Sequence, residues 1–473
     1  RDSGISDIKE LFSDIPKEKS YFPLNNVPSM LHEDQLIDKF NSYGKENKFG
    51  QYTSYLGGGA YNHFIPETVK SLSMKGDFLT PYTPYQPEVS QGSLQAMFEY
   101  QTMMSMLTGM DISNSSLYDG GTAAAEGVLL MVRKSRKKKI LAASNIHPEY
   151  MEIINTYVQN LDIEIETVDF LENSGKVDQS DLKSKLNDDI GGFIFQSPNF
   201  FGVVEDTGDL TGLLHDSKIL ATQIVTEAFS LPFLTSPGSN NVDIVVGEAQ
   251  SFGLPIAYGG PFLGFISAKK EFVRQLPGRL VGETVDSNGK RGYVLTLSTR
   301  EQHIKREKAT SNICTNQAWC ALRASMYLTL LGEKGLTDIA KSNHLNTAYF
   351  VQKVSEFDHI DIVYKKDYFN EVVIDLGETD VDSFIGKMKE QGIPMKVFET
   401  LSRDVGKGIA RIDPLVYDMM KLSPGDPLVI KGVKQTVAAA FRGVTEDSNS
   451  GAIRIDGNTR RNAGIGIDDK VYI

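Results

Sequence analysis

The chain has 473 residues, 40% of them hydrophobic and 23% charged, and a net charge of −12. That length predicts two or three domains with ample core, and the acidic balance argues against a nucleic-acid partner. No apolar run approaches the roughly 18–20 residues of a membrane-spanning helix, no secretory leader is visible, and the two cysteines, Cys314 and Cys320, are too few for a disulfide framework or a metal cage; a reducing, cytoplasmic setting is the expectation.

Residues 1–80 predict a helical, irregular arm. A short amphipathic helix starts at Ser6-Asp7-Ile8, and Pro16, Pro23 and Pro28 interrupt the chain beyond it. Gly57, Gly58 and Gly59 then permit close backbone approach, but no strand precedes them, so they do not make a dinucleotide fingerprint. His63, just beyond, fits a hydrogen-bonded structural histidine better than a base. Pro81, Pro84 and Pro87 force an extended, rigid loop, and that loop carries Tyr82, Tyr85 and Gln86. Aromatic hydroxyls and an amide on a rigid loop suit a binding site. The next helix spans 90–107, with Leu94, Met97, Phe98 and Met104 at core spacing.

The stretch 116–126 predicts a helix that begins at a small-residue turn, since Gly120 and Gly121 lead into three alanines. Its free N–H groups and positive dipole end suit an anion, and the Thr122 hydroxyl suits a phosphate. A plain helix capped by Asp119 or Thr122 fits the same residues. The basic run 133–139 reads as a solvated helix end with favourable dipole sense. Beyond it, β-rich runs at 139–143, 164–168, 192–196, 219–222 and 243–246 alternate with helical stretches at 148–160 and 182–186. That alternation predicts a largely parallel sheet covered on both faces, its strand-end loops gathered on the edge where ligands bind. Two such loops stand out, 196–202 and 247–253, the second running into the glycine-rich 258–265.

A phosphate-suited helix start and, later, a glycine-rich loop point to the large domain of a pyridoxal-phosphate enzyme of the aspartate aminotransferase type. Such an enzyme needs a lysine after the late strand and an acid to pair with the pyridinium nitrogen. From Ile219 to Ala268 there is no lysine, and the only aspartate is Asp243. The covalent anchor is absent.

Four stretches carry a more specific resemblance: 82–92, 118–123, 247–250 and the long 300–317. Through them, residues 1 to about 395 resemble the subunit 1, alpha-type half of the glycine dehydrogenase (decarboxylating) P-protein of the glycine cleavage system. The resemblance implies an α/β, pyridoxal-phosphate-transferase fold in a heterotetramer whose companion, subunit 2, carries the lysine and holds the pyridoxal phosphate. It implies a glycine dehydrogenase (aminomethyl-transferring) activity of the assembly, which decarboxylates glycine and passes the aminomethyl group to lipoylated H-protein. No catalytic residue is then expected in this chain alone, and no metal. Substrate-side candidates at the interface are Tyr82, Tyr85, Gln86, His303 and Arg306; phosphate-side candidates are Tyr118, Gly120, Gly121, Thr122, Thr310 and Asn312. Arg300, Lys305, Arg306 and Lys308 form a positive cluster that fits either an anionic ligand or pairing with local glutamates.

Near residue 395 that resemblance stops, before the small domain of the fold is complete. Residues 396–473 hold short β runs between Gly/Pro/Asp turns, which predicts a small barrel. They resemble the first half of the amino-terminal domain of archaeal valosin-containing-protein-like unfoldases, a double-psi β-barrel. From Arg403 onward Lys and Arg number eleven against nine Asp and Glu, so the tail is net positive on an acidic chain. The expected organisation is an arm (1–80), a large domain (81–330), an incomplete small domain (331–395) and a barrel-like segment (396–473). No Walker-type phosphate loop is present. A catalytically silent scaffold subunit, or an adaptor working through the barrel, are the alternative readings.

Overall fold

Seven strands form one sheet: β1 (Ile112–Ser113), β2 (Lys139–Ala143), β3 (Glu164–Val168), β4 (Ile190–Gln196), β5 (Leu220–Val225), β6 (Ile244–Glu248) and β7 (Gly264–Ala268). Their order is β1-β7-β6-β5-β4-β2-β3. The pairs from β3 to β6 are all parallel, whereas β7 is antiparallel to both β6 and β1. Every residue of β4 and of β6 is buried, as a strand covered on both faces requires. The computed structural model describes residues 7–15, 28–47, 55, 57–79, 86–311, 313, 317–379, 381, 384, 394–399, 409–432, 434–443, 447, 451–455, 457–465 and 470–472. They divide into two units, Tyr55–Phe384 and a second made of Arg1–Ser54 with Ile385–Ile473.

In the arm, α1 (Glu33–Glu46) buries none of its residues. The turn at Ile8–Phe12, where the sequence predicts a short amphipathic helix, is a 3-10 helix that leaves Leu11 and Phe12 exposed. In the large unit α2 (Glu67–Ser73) and α3 (Gln91–Thr108) precede the sheet, and α4 (Gly120–Ser135), α5 (Pro148–Val158), α6 (Gln179–Lys185) and α7 (Thr207–Asp216) alternate with its strands. Small residues let α4 lie close to the sheet: a Cβ on Gly127 would stand 3.0 Å from Val246 Cγ1. A long helix, Ala318–Val354, changes direction at Gly332 (φ 60°). Its Trp319 donates from Nε1 to the Ser73 carbonyl at 2.9 Å, tying the helix to α2.

The basic run after α4 is not simply solvated. Arg133 lies 3.7 Å from the buried Glu126, Lys134 3.2 Å from Glu271, and Lys139 2.6 Å from Glu166. Lys138 pairs with Asp162, and Lys137 donates to the Ile190 carbonyl. Four of its six basic residues, Arg133, Lys134, Lys138 and Lys139, are thus paired with carboxylates.

The tail is a closed six-stranded barrel ordered β12-β16-β13-β15-β14-β17, after the two-stranded β8/β9 (Val281–Val285, Arg291–Leu295) and β10/β11 (Asp361–Ile362, Ile374–Asp375) of the large unit. Its strands are β12 (Pro394–Glu399), β13 (Ile409–Ile412), β14 (Pro427–Lys431), β15 (Gln435–Arg442), β16 (Ala452–Ile455) and β17 (Lys470–Tyr472). Two parallel pairs, β12/β16 and β13/β15, are embedded in otherwise antiparallel pairing. The barrel contains an internal repeat. Strand β13, the helix Pro414–Met419 and β14 are echoed by β16, the helix Gly457–Ala463 and β17, and Arg411 faces Arg454 where β13 crosses β16. Ala410, Ile412, Ile430, Ile453, Ile455 and Val471 fill its core.

Candidate functional site at the strand ends

Because β2, β4, β5 and β6 are parallel, their carboxyl ends share one edge of the sheet, and the segments leaving them carry His147, Gln196, Glu227, Glu248 and Gln250. Glu248 is 2% exposed. Its Oε1 accepts from the backbone of Gln250 (2.9 Å) and Leu263 (2.8 Å), and its Oε2 from Gly120 (2.9 Å). Gly120 is the first residue of α4, so the positive end of that helix meets a carboxylate of its own chain. Burial pushes the Glu248 pKa up to about 7; the three backbone donors oppose the rise and the charge of Asp119 adds to it. Both caps expected for this helix operate together. Asp119 Oδ1 accepts from Thr122 N at 2.7 Å, while the Thr122 hydroxyl lies 3.3 Å from Asp119 N. A Cβ at Gly120 would stand 2.2 Å from the Tyr150 hydroxyl, so the helix start has room only for glycine.

The three-glycine segment runs along the same edge. Gly58 N donates to Glu371 Oε1 and the Tyr61 hydroxyl to Glu371 Oε2, both at 2.7 Å. Tyr61 N donates to Gln250 Oε1 at 3.1 Å, and His147 Nε2 lies 2.7 Å from the Gly58 carbonyl. His63 Nε2 is 3.1 Å from Glu227 Oε2, with its ring 4.5 Å from that of Phe229, so it is hydrogen-bonded within the chain. Gly58 and Gly59, at φ 65° and 95°, turn the chain into this position. Burial raises the Glu371 pKa, and burial together with Glu371 raises that of Tyr61 well above its ordinary value.

Glu371→Ala leaves Gly58 N and the hydroxyl of the buried Tyr61 without their acceptor, and at Tyr61 the unmet donor costs about 1–3 kcal/mol. Chymotrypsin is then expected to cut at the buried Tyr61 at least about tenfold faster than in the unaltered chain. An unchanged rate would mean that the segment is held by something else.

The acid not evident in the sequence at the end of β5 is Glu227, engaged with His63; a search for aspartate passes over it. Glu371 gave no sequence signal, since its partner Gly58 is 313 positions away. Of the candidates named from sequence, Gly120, Gly121 and Thr122 form the start of α4 beside Glu248, and Tyr118 is half-buried against the core. Gln86 and Arg306 are exposed, and Thr310 is half-buried with its N–H on the Arg300 carbonyl at 3.2 Å. Tyr82, Tyr85, Asn312 and the His303 side chain lie outside the described residues. Within the positive cluster, Arg300 is buried and donates to the Gly278 carbonyl at 2.8 Å, while Lys305, Arg306 and Lys308 are exposed. Ser311 ties the same stretch to α4 through Glu126. Among the described residues no group of three or more His, Cys, Asp or Glu is placed to hold a metal, and no helix is long and apolar enough to cross a membrane.

Residues 1–410 match the family model described as "Glycine cleavage system P-protein". The chain belongs to that family. A probable glycine dehydrogenase (decarboxylating) subunit 1 of Koribacter versatilis is 44% identical over 402 residues, 84% of this chain and 90% of the relative. Among solved structures, an inhibitor-bound glycine decarboxylase (P-protein) of the glycine cleavage system is 39% identical with a TM-score of 0.75, over 81% of this chain and 85% of that one. A glutamate decarboxylase of Lactobacillus brevis, 13% identical with a TM-score of 0.55 over 77% of this chain and 82% of that one, shares the fold alone. The P-protein chain thus has the pyridoxal-phosphate-transferase architecture its sequence predicted. Residues 394–473 match a second model, "Cell division protein 48 (CDC48), N-terminal domain".

Proposed function

We infer that this chain is the subunit 1 half of a glycine decarboxylase, a glycine dehydrogenase (aminomethyl-transferring) of the glycine cleavage system. The observation that carries the inference is the strand-end site of a P-protein family member that has no lysine between Lys218 and Lys269. Its residues do not fit pyridoxal phosphate. The helix start suited to a phosphate is taken by Glu248, and Gly58 and Tyr61 occupy Glu371 and Gln250 along the same edge.

We propose that the lysine-bearing subunit 2 holds the cofactor, which supplies the electron sink for decarboxylation when bound there. Glycine loses carbon dioxide in that subunit, and lipoylated H-protein receives the aminomethyl group. This chain contributes the interface surface, with Tyr82, Tyr85, Gln86, His303 and Arg306 as its substrate-side candidates. The assembly is a cytoplasmic heterotetramer, and residues 396–473 form a separate barrel domain appended to it.

Titrating the isolated chain with subunit 2, glycine and lipoylated H-protein tests the reading. Exchange of the glycine carboxyl with carbon dioxide is expected only once subunit 2 is present. Exchange by the chain alone, or a borohydride-stable pyridoxyl label on one of its lysines, overturns it. In the reconstituted pair, Tyr85→Phe or Gln86→Ala is expected to lower turnover about ten- to a hundredfold without separating the subunits. That is the scale of one lost hydrogen bond to a charged centre, about 1.5–3 kcal/mol. Unchanged turnover in both variants would remove the loop from the substrate side.

A further inference from the structure

We propose that the loop between Leu254 and Leu263 is a docking finger whose tip, Tyr258, seats in a concave apolar socket on the lysine-bearing companion subunit. The proposal rests on the reading that such a companion exists, which the naming of relatives as subunit 1 supports.

The finger has a firm root. Leu254 and Leu263 are both buried, Gln250 Nε2 donates to the Leu254 carbonyl, and Leu263 N donates to Glu248. Between these roots the chain turns outward. Ala257 and Tyr258 have φ of 44° and 58°, and Gly259 and Gly260 after them have 105° and 134°. A left-handed backbone is disfavoured for any residue with a Cβ, and glycine stands at the next two positions, where it adopts such angles freely. Tyrosine is therefore kept at 258 against its own backbone preference, and strain of that kind gathers at sites of function. Among the described residues nothing covers the ring, for Tyr258 is 108% exposed.

The chemistry of the finger selects its partner. No charged residue occurs from Ala249 to Ala268, in a chain of net charge −12. A charge-free loop ending in one aromatic ring fits a desolvated socket, where tyrosine is a preferred anchor because it covers much area at little entropic cost. Phe64, 84% exposed, is a second uncovered ring, three residues beyond Tyr61, whose N–H is fastened to Gln250. The stretch between Lys218 and Lys269, which holds the finger and both its roots, has no lysine of its own, so a subunit bringing one has reason to meet this edge.

The test measures pairing of the full chain with subunit 2 for Tyr258→Gly, Tyr258→Ala and Tyr258→Phe, alongside the melting temperature of each isolated chain. Glycine at 258 removes the ring and relieves the backbone together. The expected result is pairing at least about 30-fold weaker for Gly and Ala, near-normal pairing for Phe, and an unchanged or higher melting temperature for Gly. Normal pairing of both Gly and Ala variants, loss of self-association in place of companion pairing, or a lower melting temperature for Gly each overturns the finger while leaving the proposed function standing. Failure of the unaltered chain to pair with subunit 2 overturns both.

Discussion

Gly264→Ala is expected to destabilise the large unit by at least about 3 kcal/mol, the upper range for a methyl group forced into a filled interior. A Cβ at this first residue of β7 would stand 2.2 Å from the Asp119 carbonyl oxygen and 2.6 Å from its carbon. The obstacle is backbone, so no rotamer change relieves it. Leu117 N also donates to the Gly264 carbonyl at 2.7 Å, pinning the two segments together. Separating them disturbs the Asp119–Thr122 cap and the Gly120–Glu248 contact at once. Gly212, inside α7 with nothing within 4 Å of its would-be Cβ, is the control, and alanine there is expected to stabilise by about 0.5–1 kcal/mol. Denaturant unfolding of both variants decides the point. A loss below about 1 kcal/mol for Gly264→Ala would show that the close approach is not obligatory.

Glu248, whose folded-state pKa of about 7 lies above the ordinary 4.5, makes stability depend on pH. Below pH 4.5 the carboxyl is protonated in both states and its burial carries no charge penalty. As pH rises toward 7 the unfolded chain ionises first, so the folded state loses stability, and the loss is complete once pH passes the folded value. Relative to Glu248→Gln, the unaltered chain is therefore expected to lose about 3 kcal/mol between pH 4.5 and 7.5, at 1.36 kcal/mol for each unit of displacement. Burial also raises Glu126, Glu205 and Glu371, but these are common to both chains and cancel in the difference. Paired denaturation curves across this range provide the measurement. A gap that moves the opposite way would mean that the three N–H groups keep the carboxylate ionised at all these values.

Features set by neighbours in sequence were legible before the structure. The apolar runs that became β2, β4, β5 and β6 announced buried strands, and Asp119 and Thr122, three positions apart, announced the helix start between them. Direction was not legible. Strand β7 reverses against β6, and the two-residue β1 borders it, with no local mark for either. The site was legible as a place but not in its contents. Glu248, Gln250 and the three glycines were visible, yet that the first closes on Gly120 and the last on Glu371 depends on contacts spanning 128 and 313 positions. The paired state of the basic run was hidden for the same reason, since Lys134 finds Glu271 only after folding. The barrel announced itself through its turns, and its inner repeat is the part that strand pairing added.

Trp319, anchored on Ser73 where the long helix meets α2, is the sole tryptophan of the chain. Its fluorescence therefore originates in the larger unit, while far-ultraviolet circular dichroism sums over both. Recording the two signals through one denaturation experiment would show, without cutting the chain, whether its two parts melt together or in turn.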